Sequence, residues 1–600
     1  MRSELARRVV VLAAVIALVA GCSSSSPSSS PAAGSPTPSQ AAPPATPTAA
    51  PSASPAATPT ATPTETPVAL DPFAGKVVVT VSDNLVVRSE PRVSDDSIMY
   101  KPWLPTGTEL KVLDGPVKAS GFTWYEVEPV SFAALTGPGH GWVAMAGKDG
   151  EPWIALAEAE IAGIELAKAD VARAPADPAA AKTAAASINA FGLDLLRAML
   201  ADGTLKPDEN AVFSPTSIAL ALGMARAGAK GETASQMDAV LHATGWDELG
   251  PGLNALEQAL TSRNATWQDE YLDPPTRELA LRIANAAFAQ RDWAIEQAYL
   301  ERIAATFGAG VREVDYRTDY EAARRLINAW VSSKTKKRIP ELIPEGMLDD
   351  LTRFVLVNAI YLKAEWASDF WEGETKPAPF TRPDGSRVQV PTMNEPYWDS
   401  PSTLPPYATG NGWKATELRY KGGPLAMTLI LPDNLAAFGQ SLTAGQFDRI
   451  TTALAKQREA FAHPSETAGP MVCDLYPYAV DLSMPRFGIE TKVDLPETLA
   501  ALGMPLAFDP QQADFTGISA AERLYISNVI HQANIDVDEK GTEAAAATVV
   551  GGSTTGGCGW GAVKKTITLR LNHPFLFFVR DVETGAVLFM GRVVDPSVGR

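Results

Sequence analysis

Polar and apolar positions alternate strictly in two short runs near the C-terminal end, Ala533-Asn534-Ile535-Asp536-Val537-Asp538 and Thr566-Ile567-Thr568-Leu569-Arg570-Leu571. That period of two predicts a half-buried strand in each. Between them lie Glu539-Lys540-Gly541-Thr542-Glu543, the run Ala544-Ala545-Ala546-Ala547-Thr548-Val549-Val550, and a glycine-rich tract from Gly551 to Gly559. The connection is about thirty residues, roughly twice the usual upper length for a structureless loop, so it is disordered or functional. Local propensity allows a helix here, with Thr542 as its cap and Glu543 at its positive end. The alternative is an extended segment able to join a sheet. Period two would then place Thr542, Ala544, Ala546 and Thr548 on one face and Glu543, Ala545, Ala547 and Val549 on the other. None of the first set is large or charged.

Other patterns divide the rest of the chain. Arg2, Arg7 and Arg8 precede an uncharged apolar run from Val9 to Ala20 and then Gly21-Cys22. A dozen apolar residues are too few to span a bilayer, so residues 1–21 are expected to be an export signal. Residues 22–70 are expected to be a disordered tether, since from Ser23 to Thr64 no residue is charged and nearly all are Ser, Pro, Ala, Thr or Gly. Residues 71–153 hold short strand-like runs: Lys76–Val81, Asn84–Arg88, Gly107–Leu113, Trp124–Val127 and Gly141–Val143. Residues 154–181, rich in Ala and Glu, are expected to be a helical connector.

The balance of 51 basic against 69 acidic residues, a net charge of −18, leaves no nucleic-acid surface. An apolar fraction of 46% is ample for a large core. The five histidines are scattered without metal-ligand spacing, so neither a metal site nor a cofactor is expected. Ser333-Lys334-Thr335-Lys336 and Ser82-Asp83-Asn84 match two pieces of a serine acyl-transferase set. They stand in the wrong order in different domains and lack Lys-Thr-Gly, so no enzyme is expected.

The stretch Glu539-Lys540-Gly541-Thr542-Glu543-Ala544-Ala545-Ala546-Ala547-Thr548, preceded by His531 and Val537-Asp538, resembles the hinge of the reactive loop in serpins. The resemblance extends over residues 182–600 through Asn210–Met224, Gly228–Thr233, Leu281–Phe288, Ile327–Val331, Val357–Trp366, Met484–Phe487, Ala513–Ile518, His573–Phe578 and Leu588–Arg592, all in family order. It implies an α+β serpin fold, with three β-sheets, surrounding helices and a mobile reactive loop. It further implies a monomeric inhibitor whose partner is a serine protease, with a cysteine protease as a lesser alternative. Ser214, Ser217, Asn358 and His531 fall where the family places a polar cluster beneath the opening of its sheet, although ordinary satisfied core polars would read the same way. Trp366 is either a core residue or the residue at the top of the gap, the breach. Family spacing from Glu539 puts the scissile bond at Thr555-Gly556, suiting elastase-like or subtilisin-like proteases, while Cys558 and Trp560 remain open; Trp560 would suit a chymotrypsin-like target. Non-inhibitory relatives tend to carry bulky, charged or proline residues in the hinge, and Thr542 through Thr548, apart from the outward Glu543, does not. The alternative is a serpin-shaped binding or structural module at the cell envelope.

Two shorter resemblances lie towards the N-terminus. Val19-Ala20-Gly21-Cys22 resembles the lipobox of bacterial lipoproteins, which implies a lipid on Cys22 and a place at the outer face of a bacterial membrane. Leu85–Ser89 and Gly141–Val143 resemble pieces of a bacterial SH3-type domain, a small all-β barrel whose relatives often bind cell-wall peptides. A plain spacer with Trp124 and Trp142 in its core is the other reading. Lys337 stands where serpins usually have glycine, and the cluster Lys334, Lys336, Lys337 and Arg338 reads as a solvated face or a polyanion site. Cys473 and Cys558 are expected to be free thiols, because a disulfide on the loop would hamper its movement.

Overall fold

The computed structural model describes residues 73–156 with short gaps (74–76, 83–84, 95, 102, 105–107, 130–137 and 148–151), and then 164–268, 276–394, 404–462, 479–542 and 566–598. Cys22, Cys473, Glu543 to Thr548, Thr555, Gly556, Cys558 and Trp560 lie outside the described residues.

The N-terminal part is an antiparallel five-stranded sheet. Its strands are β1 (Val77–Thr80), β2 (Glu109–Ala119), β3 (Phe122–Pro129), β4 (Gly141–Ala144) and β5 (Ile154–Leu156), in the order β4-β3-β2-β1-β5. Val78, Leu85, Val87, Leu104, Leu110, Val127 and Val143 form its core, with Phe73 edge-on to Tyr125. Trp124 is buried and Trp142 half-buried. Of the run expected at 84–88, the described residues 85–88 make isolated bridges, Leu85 to Leu104 and Arg88 to Met99 and Trp142.

The expected helical connector at 154–181 is corrected by two strands. Ile154–Leu156 pairs with β1, and β6 (Glu165–Ala167) pairs with the main sheet of the larger part. Among the described residues of this segment, helix starts with α1 (Pro178–Asp202), capped by the Asp177 side chain with Pro178 in the first turn. Pairing at a sheet edge has overridden the helical propensity of an Ala/Glu-rich segment.

The main sheet contains β6, β9 (Thr276–Gln290), β10 (Val311–Val314), β11 (Phe354–Glu365), β18 (Phe487–Asp494), β19 (Val529–Val537) and the two-residue β20 (Gly541–Thr542). Its order is β18-β19-β20-β11-β9-β10-β6, and β8 (Ala265–Gln268) pairs with β9. A four-stranded sheet joins β12 (Lys376–Thr381), β13 (Arg387–Asn394), β17 (Ala479–Pro485) and β21 (Thr566–Arg570). A six-stranded sheet runs β14-β15-β16-β22-β23-β7, from β14 (Tyr407–Gly410), β15 (Trp413–Arg419), β16 (Leu425–Pro432), β22 (Phe575–Asp581) and β23 (Val587–Val593) to β7 (Ala211–Phe213).

Alternation along β11 divides the core. Leu356, Ile360, Leu362 and Ala364 join the large cluster built on α1, α2 (Pro215–Arg226) and the six-stranded sheet. Val355, Val357 and Ala359 face the other way, onto a second cluster with Ile327, Trp330 and Val331 of α6 (Tyr316–Lys334) and Ile343. Helix α6 therefore lies over the outer face of the main sheet. It begins at Tyr316, eleven residues before the Ile327 motif that marked it in the sequence. Every residue of α2 is buried, which its mostly small and apolar side chains permit and which Arg226 at its end achieves by pairing with Asp238 at 2.6 and 2.7 Å. The remaining helices are α3 (Gly231–Val240), α4 (Trp246–Thr261), α5 (Gln297–Phe307), α7 (Leu435–Ser441), α8 (Ala444–Ala462) and α9 (Pro496–Leu502).

Candidate functional site

The site is the middle of the main sheet, where β11 and β19 part. They run parallel and pair at Leu356–Val529, Val357–Ile530, Asn358–His531 and Ala359–Gln532. Among the described residues, no pairing joins Ile360–Lys363 of β11 to Ala533–Asp536 of β19. Above that gap β20 lies between the two strands, with Ala364 opposite Thr542, Glu365 opposite Gly541, and Val537 opposite Thr542. The hinge therefore starts, at Gly541 and Thr542, as a strand already set into the top of the sheet; the alanine run that follows lies outside the described residues.

Small side chains make this seating possible. A Cβ on Gly541 would stand 2.1 Å from the Ala364 carbonyl oxygen, so no other residue fits there. Thr542 is buried, and its hydroxyl lies 2.6 Å from the Tyr420 hydroxyl. Tyr420 is stacked on Trp366 at 4.5 Å. Trp366 is 1% exposed, its ring N–H donates to the Asp538 carbonyl at 2.9 Å, and its backbone N–H donates to the Lys540 carbonyl at 2.8 Å. Trp366 is thus a core residue that also touches the hinge. Glu539, 3% exposed, accepts from Arg486 Nε at 2.6 Å and from Thr375. Burial raises the Asp369 carboxyl, against the pull of Lys421 and Lys540.

At the bottom of the gap the four polar residues picked from the sequence come together. Ser214, Ser217, Asn358 and His531 are all at most 2% exposed. The Ser214 backbone N–H donates to His531 Nε2 at 2.9 Å, so that nitrogen carries no proton. The Nδ1–H then donates to Asn358 Oδ1 at 2.6 Å. Burial without a charged partner pushes the imidazole down to about 3. Ser214 Oγ also caps α2 by accepting from the Ser217 N–H.

One member was missed. Asn285 of β9 sits opposite Asn358, accepts from its amide at 3.0 Å and from Ser217 Oγ at 3.3 Å. Its signal was legible: in Leu281-Arg282-Ile283-Ala284-Asn285, alternation puts Asn285 on the face of Leu281 and Ile283, and a polar residue on that face needs partners.

The chain matches the family model described as serpin, serine protease inhibitor, over residues 186–596. It belongs to the serpin family. A human leukocyte elastase inhibitor is 31% identical over 408 residues, covering 68% of this chain and 97% of that protein. Human serpin B3 is 34% identical over 399 residues, covering 65% and 95%. Among solved structures, a thermophilic serpin, tengpin, in its native state superposes with a TM-score of 0.56 at 27% identity, covering 72% of this chain and 97% of that one. Lys337 has φ 65°, a left-handed conformation that favours glycine. The cationic cluster around it is partly neutralised, since Lys336 pairs with Glu278 at 2.9 Å and Arg338 with Asp536 at 3.3 Å.

Proposed function

We propose that this serpin is a suicide-substrate inhibitor of serine-type endopeptidases, held by a lipid on Cys22 at the outer face of a bacterial membrane. The protease serine attacks the loop at Thr555-Gly556, an acyl-enzyme forms, and the cut segment enters the main sheet before water can release it. The single observation that supports this most is the half-begun strand: Gly541 and Thr542 are already paired between β11 and β19, above a gap that no strand fills among the described residues.

The pairing of β20 sets the register for the rest of the hinge. β20 is antiparallel to both neighbours, so each residue further along the hinge falls one residue earlier on each. Starting from Thr542 opposite Ala364 and Val537, Glu543 would fall between Lys363 and Asp536, and Thr548 between Asn358 and His531. The inward set Ala544, Ala546 and Thr548 presents little bulk to the core. Thr548 brings a hydroxyl to the buried bond that now closes the sheet. A dozen inserted residues, at about 1 kcal/mol net per hydrogen bond, would release on the order of 10 kcal/mol, comparable to the stability of a domain.

The sheet of residues 77–156 is read as a bacterial SH3-type domain holding cell-wall peptide, with residues 22–70 as the tether between it and the membrane. Mixing full-length protein with elastase, subtilisin and chymotrypsin tests inhibition. An SDS-stable adduct is expected, and sequencing the released peptide locates the bond; cleavage by all three without adduct would favour a serpin-shaped binding module instead. Replacing Cys22 with Ser should release the protein from the membrane fraction.

A further inference from the structure

The outer face of the gap, on the α6 side, carries charges that do not balance. Lys336 and Lys363 both donate to the same Glu278 oxygen, each at 2.9 Å. Arg338 pairs with Asp536 of β19 at 3.3 Å, and its carbonyl accepts from Asn534 at 3.1 Å. The turn after α6 is therefore fixed on one side to β9 and on the other to β19, across the stretch of β11 where the sheet is unfilled. Three cations here face two carboxylates. Arg282, opposite Tyr361 on β9, adds a fourth cation to the same face. The neighbouring Glu365 brings no surplus acid, being paired with Arg277 at 3.1 Å.

We propose that Lys363, with Lys336 and Arg338 beside it, is a built receptor for the carboxylate of Glu543, filled only when the cut loop enters the sheet. Three observations converge on this occupant. Glu543 follows Thr542, the last residue of β20, directly in the chain. Ala364 and Thr542 both face the core, so their neighbours Lys363 and Glu543 share the outer face. The continued register puts Glu543 directly opposite Lys363, where opposite charges attract. Lys363 is 29% exposed and Glu278 10%, so the exchange takes place partly shielded from water. Asp536 would lie on the other side of Glu543, and Arg338 is placed to serve both carboxylates. The first outward residue to insert would thus carry the one charge the gap lacks.

The receptor rests on the insertion reading, and the test separates the two. Full-length protein and the variants Glu543→Gln, Lys363→Met and the double variant are nicked in the loop by a metalloprotease, which forms no acyl-enzyme, and melted before and after. Lys363→Met also removes one of the two lysines on Glu278, so the rise in melting on nicking is read for each form against its own intact protein. That rise should be about 2–4 °C smaller in each single variant than in the natural protein, and no smaller in the double variant than in either single. Identical rises in all forms, or losses that simply add, would overturn the receptor while leaving insertion standing. Nicking that raises no melting point, the natural protein's included, would overturn insertion and the receptor with it.

Discussion

Asn358 and His531 lie directly opposite each other on β11 and β19 and are joined by one buried hydrogen bond of 2.6 Å. It is a buried side-chain tie between the two strands that the proposed insertion would separate. The register set at Thr542 would bring Thr548 to that row. Asn358→Ala would leave the His531 Nδ1–H without its acceptor and Asn285 without one donor. The intact protein should lose about 1–3 kcal/mol and the nicked protein less, as read by denaturant unfolding of both forms. Equal losses would mean that Thr548 does not take over the contact.

Acid should weaken the closed sheet through His531. In the folded chain its imidazole is held neutral down to about 3, whereas an unfolded histidine protonates near its ordinary value of 6.5. Between those values the unfolded state binds the extra proton, so stability is full above about 6.5 and is lost as the pH falls towards 3. Melting of the intact protein across that window should show the decline. A His531→Gln variant, which has no such proton to bind, should show a shallower one.

Gly541→Ala places a Cβ 2.1 Å from the Ala364 carbonyl oxygen, a contact that backbone cannot relieve without moving. The expected result is release of β20 from the top of the sheet, and hydrogen exchange at the Thr542 amide should report it. Unchanged protection there would contradict the seating of the hinge.

Thr542→Arg sets a charge against the buried Tyr420–Trp366 pair, where burial has already raised the tyrosine hydroxyl. An unpaired buried charge costs several kcal/mol. The variant should be cut by the target protease as readily as the natural protein yet form little or no adduct, turning inhibitor into substrate. Undiminished adduct would argue that inhibition does not depend on Thr542 being seated in the sheet.

Much of this site could be read in the sequence because the hinge and the runs that hold Ser214, Ser217, Asn358 and His531 resemble those of a known family. Gly541 and Thr542, which the structure seats between β11 and β19, belong to that hinge. What escaped was set by distant partners. Glu165–Ala167 is a strand because β10 offers it an edge, and nothing within Ala/Glu-rich composition encodes that edge. The start of α6 at Tyr316 rests on the Asp315 cap, a signal weaker than the Ile327 motif beyond it. The balance of Lys336, Lys363, Arg338, Glu278 and Asp536 required three segments to meet before their charges could be summed.

Inhibition by insertion depends on stored free energy, and heat reads it directly. Full-length protein should be melted intact and after a single nick in the loop near Thr555. Insertion predicts a nicked form that melts at least about 10 °C higher, from on the order of 10 kcal/mol of new pairing. A nicked form melting at or below the intact temperature would contradict it.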